Sequence, residues 1–245
     1  MAEVHVHGAL ATVRSGTFTD EVATEEPLEI RVDGRAIAVT MRTPGHDEEL
    51  ALGFLYGEAL IERAHPASLT LEVNTVEVTG PLARQPDLRS FYTTSSCGVC
   101  GKGALEEVAV TAPRLPDHPT PAAELLADLP DRLHQPGFER TGGLHATGLF
   151  TWDGELVVAR EDVGRHNAMD KVIGWALREQ RVLLGDYILA VSGRLSFELV
   201  QKAVRAGAPV LVGVGAPTSL AVRLADDRNL TLAGFARGGR VNVYT

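Results

Sequence analysis

The residues best suited to chemistry are the chain's two cysteines, Cys97 and Cys100, within Thr93-Thr94-Ser95-Ser96-Cys97-Gly98-Val99-Cys100-Gly101-Lys102-Gly103. A glycine follows each cysteine and another follows the lysine, so the backbone here bends freely. The hydroxyl-rich run ahead suits a helix cap. Behind it, Ala104 to Val110 reads as helix, with Leu105, Val108 and Ala109 on one side. Two thiols in a flexible loop at a helix N-terminus meet unpaired N–H groups and the helix dipole, which favour the thiolate, and Lys102 adds a positive charge. Such a thiol serves as nucleophile, redox partner or metal ligand. The plainer alternative is that both cysteines merely pack, but packing cysteines usually replace small apolar residues in periodic elements, and these lie among glycines.

Four further junctions could hold a ligand. Ser192-Gly193-Arg194 offers a hydroxyl, backbone amides and a cation, and Gly213-Val214-Gly215-Ala216-Pro217-Thr218-Ser219 is a glycine-rich segment opening a helix. Phe235-Ala236-Arg237-Gly238-Gly239-Arg240 sets two arginines around two glycines beside an aromatic ring, a combination suited to phosphate and a stacked base. Its plainer reading is a hairpin turn with solvated arginines. The densest is Arg160-Glu161-Asp162-Val163-Gly164-Arg165-His166-Asn167, with Asp170 and Lys171 one turn on; a capped helix with surface ion pairs is the simpler account. Thr141-Gly142-Gly143-Leu144-His145 is a similar junction. His145 or His166 could move a proton or simply be hydrogen-bonded. At Pro44-Gly45-His46, His46 and Asp47 read as the cap and start of a helix. None of these is a Walker or dinucleotide fingerprint.

Three function classes follow from these residues. One is sulfur or redox chemistry at the cysteines with a nucleotide-like ligand. The second is a zinc enzyme, because Cys-x-x-Cys at a helix start occurs in nucleobase deaminases; their His-x-Glu partner is missing, since the nearest match is His145-Ala146-Thr147, downstream and with threonine for glutamate. The third is a thiol hydrolase pairing one cysteine with His145 or His166, which would not need the second cysteine.

The elements that must position these residues are legible from periodicity. Leu28 to Val32 and Ala36 to Met41 alternate around Asp33-Gly34, a hairpin signal, and a helix follows over 47–60. Leu69 to Val78 reads as two short strands and Leu88 to Thr94 as a strand leading to the cysteines. From Pro113 to Pro136 prolines interrupt the chain around one helix, Ala122 to Leu133. Then come a hairpin (146–152 and 155–159), a helix (167–179), a strand (187–191), a helix (195–206), a strand (209–214), a helix (219–225) and a strand (230–235). Pro209-Val210-Leu211-Val212 is apolar on both faces, as a buried parallel strand must be. The reading is an α/β fold in three portions: 1–112, β-rich and carrying the cysteine loop; 113–140, a proline-rich connector; and 141–245, an α/β portion.

The whole chain sets bounds on these readings. Its 245 residues suffice for a substantial core. A net charge of −9 argues against a broad nucleic-acid surface while allowing a local basic pocket. No secretory signal and no apolar run of membrane-spanning length are expected, and two cysteines too close to staple a fold suit a reducing cytoplasm.

Taken together, Thr94 to Lys102, Thr141 to Ala146, Arg160 to Ala168 and the tail Gly234 to Arg237 through Asn242-Val243-Tyr244 resemble the FdhD family, sulfur-carrier accessory proteins of formate dehydrogenase. Also similar are Arg42-Thr43-Pro44-Gly45 with Glu49 to Leu55, and Ser192-Gly193-Arg194 with Glu198. The blocks occur in family order from about Val22 to the C-terminus. The resemblance implies a cytoplasmic sulfurtransferase that accepts persulfide sulfur from a cysteine desulfurase. It passes that sulfur to the molybdenum (or tungsten) bis(molybdopterin guanine dinucleotide) cofactor before insertion into formate dehydrogenase. It implies a cytidine deaminase-like layered fold, a persulfide on Cys97 with Cys100 as the second thiol, and cofactor binding by Phe235, Ala236, Arg237, Gly238, Gly239 and Arg240. No tightly held metal, no nucleic acid and no membrane are expected. Whether the chain is a homodimer stays open at this point.

Overall fold

The computed structural model describes residues 3–85 and 113–245. Cys97, Cys100, the strand expected at 88–94 and the helix expected at 104–110 lie outside the described residues.

Three sheets carry the chain. The first is an antiparallel meander of β1 (Glu3–His7), β2 (Leu10–Ser15) and β3 (Phe18–Ala23). Periodicity did not announce it, because Val4, Val6 and Phe18 are exposed and the strands bury little. The second has the order β5-β4-β7-β6, with β4 (Glu26–Val32) and β5 (Arg35–Arg42) forming the expected hairpin. Asp33 and Gly34 both take positive φ, 47° and 77°, as a tight turn matched to strand twist requires. β6 (Ala67–Leu69) and β7 (Thr75–Val78) complete it, β7 running parallel to β4.

The connector holds α2 (Ala123–Asp128), which tightens into a 3-10 turn (Leu129–Arg132), followed by α3 (Pro136–Thr141). Before it, α1 (Asp47–Gly57) links the second sheet's strands. The remaining helices are α4 (Arg165–Arg178), α5 (Phe197–Arg205) and α6 (Ser219–Arg228).

The third sheet has the order β13-β12-β11-β10-β8-β9. β8 (His145–Thr151) and β9 (Leu156–Asp162) are a hairpin; β10 (Tyr187–Val191), β11 (Val210–Gly213) and β12 (Thr231–Arg237) run parallel through α5 and α6. The sheet is nevertheless mixed. β8 pairs antiparallel with β10, and β13 (Arg240–Val243) turns back antiparallel on β12, the hairpin that the plainer reading of the tail implied.

One hydrophobic core joins the N-terminal and C-terminal portions: Leu28 and Ile30 of β4, Leu50 and Leu55 of α1, Val172 and Ile173 of α4, and Leu189 and Leu199 beyond. A second cluster seals the other face of the third sheet, with Leu126 and Leu129 of the connector against Phe150, Ile188 and Val210. At the centre α1 and α4 cross at backbone contact. A Cβ on Gly174 would stand 1.8 Å from the carbonyl oxygen of Glu49, and one on Gly53 would stand 1.9 Å from that of Asp170, so only glycine fits at either position.

Candidate functional site

The sheet's pairing brings distant segments to one edge. β10, β11 and β12 end together because they are parallel. β8 is antiparallel to β10 with Val191 opposite Thr147, so β8 begins at that same edge. β9 returns with Asp162 opposite His145 and leads directly into α4. Ligands in open α/β sheets bind beyond such strand ends. Here they enclose a cavity of about 370 Å³ lined by His145 of β8, Arg165 of α4, Ser192 to Arg194 after β10, Val214 and Gly215 after β11, and Phe235 and Arg237 of β12.

Each wall has a local cause. A Cβ on Gly215 would lie 2.8 Å from both the Cα of Arg194 and the carbonyl oxygen of Gly193, so the two loops can cross only at a glycine. The Gly215 N–H donates to Gly193 O (3.0 Å), and the Phe235 N–H donates to Gly215 O (3.2 Å). Phe235 sits at a bulge in β12 with φ 55°, a conformation disfavoured for a bulky residue, and the bulge re-aims its ring toward the cavity. Gly238 and Gly239 follow with φ 56° and 73° and form the β12–β13 turn, beyond which Arg240 is exposed. Of the six tail residues, Phe235 and Arg237 therefore line the cavity, while Ala236 is buried behind the sheet and Gly238 to Arg240 form the hairpin.

The cavity's electrostatics are one-sided. Among the described residues no carboxylate lines it, and neither Arg165 nor Arg194 forms an ion pair. The Arg165 Nε is buried without a hydrogen-bond partner. Burial, followed by the neighbouring Arg194, pushes the Arg165 guanidinium below its ordinary pKa. His145 is likewise held below the ordinary imidazole value, first by burial and then by Arg165 and Arg194. Beside this, His166 Nε2 lies 3.3 Å from Ser196 Oγ and 3.8 Å from a Glu198 oxygen. Contact with the His166 ring holds the Glu198 carboxyl down to about 2.

The block from Arg160 to Lys171 divides between scaffold and site. Arg160 forms a two-pronged pair with Glu49 of α1 (2.6 and 2.9 Å). The fully buried Asp162 accepts from Thr43 N (3.1 Å), Gly164 N (2.8 Å) and Asn167 Nδ2 (3.0 Å) and pairs with Lys171 Nζ at 2.7 Å. Lys171 also donates to the carbonyl oxygens of Thr43 (2.9 Å) and Glu161 (3.2 Å). This network ties the Thr43-Pro44-Gly45 loop to the end of β9 and so fixes where α4 begins. The ion pairs that hold it are thus not surface pairs, since Asp162–Lys171 is fully buried and Arg160–Glu49 largely so. Only Arg165 reaches the cavity from this block. His46 occupies the left-handed N-cap position of α1 (φ 57°) without a side-chain capping bond; its Nδ1 lies 3.5 Å from Glu49. Asp47 instead binds Arg42 at 3.0 Å through both oxygens. Among the described residues no cluster of three His, Cys, Asp or Glu could hold a metal, and no helix is long and apolar enough to cross a membrane.

The residues that converge here come from segments far apart in the sequence. The profile of the FdhD/NarQ family matches residues 23–245. The chain belongs to the FdhD/NarQ family. It is similar to the sulfur carrier protein FdhD of Streptomyces coelicolor, at 51% identity with 100% of this chain and 95% of that protein covered. The FdhD of Nocardia farcinica is 53% identical over 92% of this chain and 86% of its own length. A solved structure, of a protein assigned as a formate dehydrogenase accessory protein from Desulfotalea psychrophila, superposes with a TM-score of 0.73 at 29% identity. That match covers 100% of this chain and 95% of the other. The junctions read from the sequence contain every loop that lines this cavity, and the block 160–167 includes Arg165 itself. The junction's signal was present, but nothing local distinguished the arginine facing the cavity from Arg160, which faces α1.

Proposed function

We propose that this FdhD-family chain is a sulfur carrier that matures formate dehydrogenase, taking sulfur from a cysteine desulfurase and delivering it to a bis(molybdopterin guanine dinucleotide) cofactor bound as substrate. The observation that carries the reading is the full-length similarity to proteins named as sulfur carriers, together with an anion-receptive cavity at the strand ends. In the first step the Cys97 thiolate attacks the terminal sulfur of the desulfurase persulfide; a new S–S bond forms, the old one breaks, and the desulfurase thiolate leaves. Delivery as sulfide requires two electrons. Attack by the Cys100 thiolate on the inner, Cys97 sulfur supplies them: Cys97 and Cys100 become a disulfide, hydrosulfide is released, and two equivalents of a cellular thiol then reduce the pair through a mixed disulfide and leave as their own disulfide.

The segment Phe235 to Arg240 is assigned to the guanine dinucleotide, with Phe235 offering a stacking face and Arg237 a charge-assisted contact to phosphate. The layering of helices on both faces of the mixed sheet supports a cytidine deaminase-like scaffold put to a different use. The reading places the protein in the cytoplasm with desulfurase and formate dehydrogenase as partners, and a homodimer is compatible with it.

The test is to load the protein with a cysteine desulfurase and labelled cysteine and to map the label by mass spectrometry. Label on Cys97 is expected, and Cys97→Ala protein should neither load nor mature formate dehydrogenase. Wild-type maturation by Cys97→Ala would end the assignment.

A further inference from the structure

Two arginines that form no ion pair among the described residues, with Glu198 acting on Arg165 only at longer range, stand beside one histidine in the cavity, and that arrangement asks for a ligand. Arg165 projects from the first turn of α4, which has no acidic residue and no side-chain cap, so the helix dipole and its free N–H groups add to the same positive field. Arg194 projects from the loop after β10. A Cβ placed on Gly193, the residue between Ser192 and Arg194, would lie 3.4 Å from His145 Nδ1, so the imidazole abuts that loop directly. The same Cβ would lie 3.9 Å from the Arg165 Cδ, so His145 and Arg165 flank the Arg194 loop together and an anion in the cavity lies in the field of all three.

We infer that a diphosphate seats between Arg165 and Arg194 and that His145 takes up a proton as it binds, so that ligand affinity is linked to pH. This rests on the reading above that the cavity receives a nucleotide, and it names the groups that hold its phosphates.

The groups facing His145 are Arg165 and His166 from α4, Arg194 from the β10 loop, and Asp162 across the β8–β9 pair. Arg237 faces the same cavity from β12. Asp162 alone favours the imidazolium, and its charge is already committed to Lys171. With the cavity free, burial first and then the arginines hold the ring below its ordinary value and so disfavour the imidazolium. A bound dianion offsets both guanidiniums and turns the field at His145 toward the charged form. The sign follows. The free histidine lies below its ordinary value and the complexed one above the free one, so binding absorbs a proton and tightens as pH falls through the interval between them.

The probe is GDP-mannose, whose diphosphate is esterified at both ends and so carries no proton that titrates near neutral pH. Calorimetry in two buffers of different ionisation enthalpy counts protons directly. Wild type should take up a fraction of one proton near pH 6.5 and bind about three- to tenfold more tightly at pH 6 than at pH 8. His145→Asn, with His145→Gln as a second variant, should bind with no uptake and a flat pH response. Arg165→Ala and Arg194→Ala should each lose about tenfold or more in affinity. Sulfate, which is fully ionised throughout this range, is the second probe and should compete with GDP-mannose. GDP-mannose binding with no proton uptake, or with the same uptake in both histidine variants, would overturn the inference, as would wild-type affinity in both arginine variants. Sulfate binding with a His145-dependent pH response, but GDP-mannose no tighter than sulfate, would uphold the clamp and defeat the nucleotide reading.

Discussion

Replacing Lys171 by methionine isolates the interaction that places the site. Methionine keeps the side chain's length and apolar stem and removes only the ammonium. In the folded protein that ammonium lies 2.7 Å from the Asp162 carboxylate and donates to the carbonyl oxygens of Thr43 and Glu161. Lysine and aspartate side chains are 1% and 0% exposed, so no water can replace the lost cation. Breaking one partner of a buried pair costs about 3–5 kcal/mol, because it strands an uncompensated charge. For a chain of this length each kcal/mol lowers the melting temperature by about 2–4 °C, which gives a fall of about 6–20 °C. Thermal melts followed by circular dichroism measure it. A cycle with Asp162→Asn locates its origin: the double variant should cost less than the sum of the singles by about 1–3 kcal/mol. A fall of less than about 3 °C for Lys171→Met, or strict additivity in the cycle, would refute the argument that this pair holds the Thr43 loop, β9 and α4 together.

Gly174→Ala should destabilise by at least the ~1–3 kcal/mol typical of overpacking, since its Cβ would meet the Glu49 carbonyl and force α1 from α4. Gly185→Ala, whose Cβ meets nothing within 4 Å, is the control and should melt within a few degrees of wild type; equal effects would show that the helix crossing is not tight. Glu198 has a folded-state value of about 2, below its ordinary 4.5, so its contribution is present above pH 4.5 and is lost as pH falls toward 2. Glu198→Gln should flatten that part of the acid limb in urea midpoints measured against pH, and an unchanged limb would contradict the His166 contact.

Much of the architecture could be read from local pattern because side-chain periodicity reports burial. The Asp33-Gly34 hairpin, the apolar stripe of α4 through Val172, Ile173 and Ala176, and the doubly buried β11 each follow from which faces lose water. The sequence blocks likewise pointed to the loops that meet at the strand ends, and to the family. What periodicity cannot report is the partner. Whether β8 runs with or against β10, and whether the tail returns as β13, depends on hydrogen bonds to strands tens of residues away. β1 to β3 escaped notice for the complementary reason, that exposed strands leave almost no hydrophobic pattern. Charge poses the same problem more sharply. Arg160, Arg165 and Lys171 are all cations within twelve residues, yet Arg160 answers Glu49, Lys171 is sealed against Asp162, and Arg165 forms no direct ion pair among the described residues. Residue type sets the charge of each, but only tertiary packing decides which field is cancelled and which remains open to a ligand, because that depends on distance and on the exclusion of water.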